Sequence, residues 1–403
     1  MNDRIGIAKT QQLAIHAILA KIYEKGRITQ AEISQSTGFS RSTVSINCEK
    51  LLSQQLVKYD NTSSSNKIKN LELELNEDVG FIVGIGMGGT FCRIGLFTVT
   101  CKMIAIRKIA VDLEIGPDAI LKNITQIINN LIKKEKPKGR LLGIGMGIPS
   151  PMKFEDGVAY HPAFMPGWHL YNIKEFFNSI YQCPVFVDNE VNTMALEEYH
   201  SLEKRDIKTL LCVKIGTGIG AGLVVRERIY RGENGSAGNL GHICVEESGK
   251  PCQCGKTGCI ETVASTRAII ENATQLCLAD EQSLLCRKYK AEGALTLQMI
   301  KECADYGDRI ALHVIESAGK SIGNLLGKIT TFLDPGIIII TGRATVLGPN
   351  FLYYIRDGVF RQSSTWSSPD FQIVFSNLSD NSVAKGAARL CIDELFDRQL
   401  LIS

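Results

Sequence analysis

The feature that most constrains this chain is a stretch of 18 residues in which His242 is followed by Cys252, Cys254 and Cys259. Three thiolates and one imidazole, with the cysteines spaced Cys-x-Cys-x4-Cys, form the ligand set of a closed, tetrahedral structural zinc site. Gly249, Gly255 and Gly258 supply the turns that so short a loop needs to fold around an ion. Zinc binding by small peptides is worth roughly 10–16 kcal/mol, comparable with the roughly 5–15 kcal/mol stability of a whole domain. Metal binding would therefore decide whether the loop is ordered at all. No Cys-x-x-Cys occurs, so a redox pair is not indicated. The bland alternative is a group of buried free thiols, which is how the other ten cysteines read.

Composition narrows the class. A chain of 403 residues predicts two to three domains. With 44% apolar and 22% charged residues it is not a disordered or fibrous chain. The longest apolar stretch, Leu211–Val225, is broken by four glycines, so no membrane span is expected. Met1–Gln12 has no secretion-signal pattern; thiols in such a chain are expected to be reduced, and the default location is the cytoplasm. Net charge is +3, and Met1–Leu75 alone holds ten basic and seven acidic residues. The entire excess sits in the head, which permits nucleic-acid binding without establishing it.

The head reads as helical over residues 11–58. Ile15, Ile18, Leu19 and Ile22 make one buried stripe. Thr29 with Glu32 forms a capping box, and Gly38 ends that second helix. A third helix follows Ser40, and Leu71, Leu73 and Leu75 alternate as in a strand. From Phe81 onward strand and helix patterns alternate, which predicts an α/β body of two similar lobes. The helices joined by Gly38-Phe39-Ser40 have helix-turn-helix proportions. Such a unit sets the first turns of its second helix against base edges, here Ser40, Arg41, Ser42, Thr43, Ser45 and Asn47. Lys67 and Lys69 in the next loop could act as a wing on the phosphate backbone. The bland alternative is a small helical domain that docks on protein. Two Gly/Thr loops follow predicted strands, one ending Gly88-Gly89-Thr90 and the other Gly216-Thr217-Gly218; each could cradle phosphate or be an ordinary hairpin. Asp188-Asn189-Glu190 lies at a strand-to-helix junction, where a ligand could sit or where Asn189 could simply cap the helix.

Together these motifs, with Pro166-Gly167-Trp168, Asn189-Glu190-Val191-Asn192 and Gly386-Ala387-Ala388-Arg389, resemble the ROK family of repressors, open reading frames and sugar kinases. The resemblance runs over nearly the whole chain, and the Gly-His-led cysteine signature is its most specific mark. It implies a winged helix-turn-helix at 1–76 and a two-lobed actin-like, hexokinase-like (ribonuclease H-like) ATPase fold. The lobes would span 77–200 and 201–403, the second carrying the zinc loop. It further implies zinc on His242 and the three cysteines, a sugar held by Asn189, Glu190, His242 and Glu261 with Asn239 at the same site, and a homodimer or dimer of dimers.

Departures from the family's kinases carry as much information as the matches. Gly86 stands where kinases have Asp, Glu190 where they have the catalytic Asp, and Arg343 where a Gly-rich run borders adenosine. Asn239 replaces a usual Glu, and Phe164 a usual Asn. Gly88, Gly89, Thr90, Gly216, Thr217 and Gly218 then read as vestigial phosphate loops, and no residue is assigned a catalytic role. The expected function is a repressor that binds operator DNA and is released by a sugar inducer; the alternative is an active ATP-dependent sugar kinase with a regulatory head.

Overall fold

The computed structural model describes residues 2–60, 71–160, 162, 165–202, 206–279, 283–363 and 371–401. Lys67, Lys69 and Phe164 fall outside the described residues, so the expected wing contacts are not addressed by it.

The head contains helices Asn2–Lys25, Gln30–Thr37 and Arg41–Ser53 and a three-stranded antiparallel sheet with Glu72–Leu75 in the middle. Its boundaries are set locally. Thr29 Oγ1 accepts from the Glu32 N–H while the Glu32 carboxylate accepts from the Thr29 N–H, a reciprocal cap. Gly38, at φ 74°, supplies the left-handed turn. Ser40 Oγ caps the third helix through the Thr43 N–H. Ile15, Ile18, Leu19 and Ile22 are buried as their spacing predicts, Ile33, Val44, Cys48 and Leu51 complete the head's core, and Leu52 is half-buried.

The body holds two five-stranded sheets built to one plan. In the first, the antiparallel meander Gly80–Met87, Phe91–Thr98 and Met103–Ala110 is extended from its first strand by parallel Arg140–Ile148 and then Val185–Asn189. The second repeats this order with Thr209–Ile215, Ile219–Val225, Arg228–Ile229, Ile337–Thr341 and Gln372–Phe375. Each fifth strand leads toward a helix, Glu190–Ser201 in the first lobe and Ser382–Asp397 in the second. The two helices cross almost backbone to backbone, since a Cβ on Gly386 would lie 1.9 Å from the Thr193 carbonyl oxygen.

The domain division expected at residue 201 needs one correction. Ser382–Asp397 packs on the first sheet, where a Cβ on Gly84 would meet the Ala384 carbonyl at 2.2 Å. The Ala384, Ala387 and Ala388 side chains are small enough to allow that approach. This closing helix also carries the head: Tyr23 stacks on Phe396 with ring centroids 4.3 Å apart and donates to Asp393 Oδ1 at 2.7 Å. A continuous buried cluster joins Ile18, Leu19 and Ile22 of the head to Ile392 and Leu395. The closing helix is thus one place where the head is docked on the body.

Candidate functional site

The structure gathers His242, Cys252, Cys254 and Cys259 so that one ligand atom from each lies within 4.8 Å of every other. Backbone bridges between Cys244 and Cys259 and between Pro251 and Thr257 pinch the loop into shape. Cys252 Sγ is 3.5 Å from His242 Nδ1, and Cys254 Sγ is 3.6 Å from Cys259 Sγ. Tetrahedral bonds of ~2.3 Å to sulfur separate two sulfurs by ~3.7 Å, so the donors fit a zinc-sized dication. Burial, reinforced by hydrogen bonds and charge from the two neighbouring thiols, pushes the Cys259 thiol up to about 12. Burial also opposes ionisation of Cys254, but the Lys256 backbone N–H and the adjacent thiols outweigh it and lower that thiol. Crowded thiols of this kind resist sharing negative charge, and a cation at their centre removes the conflict.

The loop positions the next acid directly. Cys259 is the residue before helix Ile260–Ala264, whose second residue is Glu261. Buried Glu261 accepts from the Ile219 N–H through Oε2 at 3.0 Å. The same oxygen lies 2.7 Å and 3.2 Å from where a Cβ on Gly218 or Gly241 would be, so both positions must lack a side chain for the acid to sit there. The cysteine loop, the Gly-His pair and the second Gly/Thr loop therefore converge on one carboxylate. His242 turns Nδ1 toward the thiols, which leaves Nε2 for a ligand hydroxyl. Asn239 is exposed at the start of the turn Leu240–His242 and caps nothing with its side chain.

Across the cleft, Asn189 is a structural cap as well as a candidate ligand. Its Oδ1 accepts from the Val191 N–H at 2.8 Å and its Nδ2 donates to the Ser150 carbonyl at 3.0 Å. Glu190, 7% exposed, opens the following helix and is ion-paired through Oε1 with Lys214 Nζ from the second lobe. Asp188 Oδ2 accepts from Arg231 Nε at 2.7 Å, and the Arg231 guanidinium lies 3.6 Å over the Phe154 ring. Motif reading missed Lys214 and Arg231, and both join the two lobes. The only visible signal for Lys214 is a charge inside the otherwise apolar strand Thr209–Ile215.

The strand before the first Gly/Thr loop is tightly packed, and each of the two loops uses a backbone N–H within itself. Gly86 lies in a buried strand under the closing helix, and a Cβ there would come within 2.7 Å of Val383 Cβ and of the Ala384 nitrogen. The closing helix thus leaves no room for a larger side chain at this position. Gly89, Thr90 and Thr217 are exposed, and Gly88 and Gly218 are half-buried. The Gly88 N–H is used by the Phe91 carbonyl, and buried Gly216 gives its N–H to the Gly218 carbonyl. Exposed Arg343 follows Gly342, which is wedged against Ile215 at the entrance to that second loop.

On the head, Arg41 and Ser42 are exposed at the start of the third helix, and Thr43 and Ser45 are half-buried. Ser40 Oγ also lies within hydrogen-bond reach of Ser42 Oγ and Thr43 Oγ1, so its first role is capping. Asn47 must be corrected. It is 2% exposed and its Nδ2 donates to the Thr43 carbonyl at 2.8 Å, so it faces the head's core and not a groove. It continues the buried series Val44, Cys48 and Leu51 at helical spacing. Exposed Ile46 was not anticipated on this face; its apolar side chain suits a thymine methyl.

Residues 82–394 match the profile described as ROK family, and residues 12–58 the one described as winged helix-turn-helix DNA-binding. The chain is 27% identical over 384 residues to the xylose repressor of Bacillus subtilis (strain 168), covering 94% of this chain and 95% of that protein. It is 33% identical over 276 residues to the glucokinase of Halalkalibacterium halodurans, covering 68% of this chain and 83% of that one. A crystal structure described as a ROK family transcriptional regulator, homolog of E. coli MLC protein, matches with TM-score 0.84 over 98% of this chain and 100% of that chain. At 24% identity this last likeness shows a shared fold, with the head included. No helix among the described residues is long and apolar enough to cross a membrane.

Proposed function

We propose that this chain, which belongs to the ROK family, is a sugar-responsive transcriptional repressor whose body is a degenerate sugar kinase. The observation that carries this reading is the asymmetry of the cleft. On the sugar side, Asn189, Glu190, His242 and Glu261 are buried or half-buried and held in place by caps, the cysteine loop and tight glycines. On the phosphate side, the closing helix covers Gly86, and Lys214 neutralises the carboxylate that would serve as base. A base engaged by an ammonium is poorly placed to take a hydroxyl proton, yet its oxygens still accept hydrogen bonds from hydroxyls.

In this reading zinc is held by His242, Cys252, Cys254 and Cys259 and supplies rigidity to Glu261 and His242, not chemistry. Glu190 and Glu261 accept from sugar hydroxyls, His242 Nε2 donates to one, and the free Asn189 amide hydrogen and Asn239 complete the ring. Sugar would draw on the lobes that Lys214 and Arg231 join. Helix Glu190–Ser201 would pass the movement to the closing helix at the Thr193–Gly386 crossing, and Tyr23 would pass it to the head. A sugar can release DNA only if it binds the released form better than the DNA-bound one. The head, through Arg41, Ser42, Thr43 and Ser45, would engage operator DNA as a homodimer or dimer of dimers in the cytoplasm, with recognition helices ~34 Å apart or a multiple of it.

A mobility shift of operator DNA across a panel of sugars tests the reading; no sugar effect from the whole panel overturns it. The likeness to a glucokinase favours a kinase as the second reading. Turnover of ATP with magnesium and the same panel decides between them.

A further inference from the structure

We infer that the chain has a second ligand site, on the far flank of the closing helix, that takes a small hydroxylated anion: a phosphate ester or a carboxylate. It is a cavity of about 510 Å³ between the turn joining the second and third strands of the first sheet, helix Glu190–Ser201 and the start of helix Ser382–Asp397. That volume lies in the ordinary range for small-molecule pockets. None of its lining residues belongs to the sugar constellation, so the inference stands apart from the sugar reading.

Charge identifies the ligand class. Three of the lining side chains are cationic, Lys102, Lys385 and Arg389, against a single carboxylate, Glu197. Asp380, which interrupts the lining stretch in sequence, is turned to an ion pair with Arg93. Lys102 pairs with Glu77, outside the lining, at 2.7 Å, and Lys385 pairs with Glu197 Oε1 at 2.6 Å. Two polar atoms are left without partners: Arg389 Nε and Glu197 Oε2, both buried. A buried guanidinium N–H and a buried carboxylate oxygen are rarely left unsatisfied, because each then loses water without replacement. Neither atom is open to solvent, so a ligand reaches them on rotation of the Arg389 and Glu197 side chains, an anion then satisfying the first and a hydroxyl on the same molecule the second.

The backbone adds to this. The closing helix begins beside the cavity, and Asn381 makes no side-chain cap; the Ser382 N–H is taken by the Ser379 carbonyl, and the following first-turn N–H groups carry their partial positive charge toward that end. Ser379 and Ser382 line the same end and add hydroxyl donors, while Phe97 and Met103 give an apolar wall for a short carbon skeleton. Arg389 also reaches Tyr23 Oη of the head, Nη1 to oxygen 3.4 Å. A ligand that pulls on this guanidinium acts on the joint between head and body, which makes the cavity a place for a second effector.

The test is calorimetry on the full chain at fixed ionic strength with two probes, glycerol 3-phosphate and glycerate, on wild type, Lys102→Ala and Arg389→Lys. One probe or both should bind saturably, one per chain, and the stronger binder identifies the anion. Loss of one charge-assisted hydrogen bond corresponds to about tenfold weaker binding, expected in each variant. Glu190→Gln should bind the probes like wild type, which separates this site from the cleft. Thermal melting checks folding; should Arg389→Lys be unfolded, Lys102→Ala, at a side chain 72% exposed, decides alone. Absence of saturable binding by both probes, or binding unchanged in a folded variant, overturns the inference.

Discussion

Replacing Lys214 with Met asks how much the cross-cleft ion pair holds together. The Glu190 side chain is 9% exposed and that of Lys214 is 24% exposed, so the pair is mostly but not wholly out of water. Unit charges at ~4 Å in an effective dielectric of ~20 attract by roughly 4 kcal/mol. Screening through the exposed part of Lys214 and the cost of ordering its side chain reduce the net value to about 1–3 kcal/mol. Met keeps the length and apolar stem of Lys but leaves Glu190 buried without a partner. The expected result is a fall in melting temperature of roughly 3–10 °C for a lobe of about 200 residues. Glu190→Gln in the same background should restore most of the loss, because no uncompensated charge then remains. Scanning calorimetry of wild type, both single variants and the double variant closes the cycle. Additive effects, with coupling below about 0.5 kcal/mol, would refute the idea that this pair ties the lobes.

Four further outcomes follow from the geometry. Gly86→Asp drives a side chain into Val383 and Ala384; it should destabilise the body by about 1–3 kcal/mol or more and yield no sugar phosphorylation, and measurable ATP turnover would contradict the packing argument. Elemental analysis should find one zinc per chain in wild type and none in Cys254→Ser, whose response to sugar should be lost while operator affinity stays near wild type; equal zinc content in the two refutes the metal proposal. Arg41→Ala should weaken operator binding by about 1–3 kcal/mol and relax preference at one base pair, read by mobility shift on a set of single-base operator variants. Tyr23→Phe removes the hydrogen bond to Asp393 but keeps the stack on Phe396, so DNA affinity should hold while the sugar concentration for half-release rises several-fold; an unchanged response shows that this joint carries no signal.

The sequence by itself determined whatever is encoded over a few residues. The capping box at Thr29 and Glu32, the stop at Gly38 and the cap at Ser40 depend on atoms three or four positions apart, so the helix-turn-helix was legible with its boundaries. The cysteine loop was legible for the same reason, because all four ligands fall on one short stretch and Glu261 follows two residues after the last of them. Asn47 was legible too, had its place in the buried series with Val44, Cys48 and Leu51 been given more weight than its polarity. Tertiary structure alone decided what distant strands and helices bring together. Lys214 meets Glu190, and Arg231 meets Asp188, only after two sheets of the same plan have formed and closed on each other, and no spacing announces a pair made across lobes. The crossing of Thr193 with Gly386, and the closing helix lying over Gly86, depend on side chains that are absent. A glycine in a sequence marks freedom or closeness without saying which backbone comes near, and here that neighbour is the helix that carries the head.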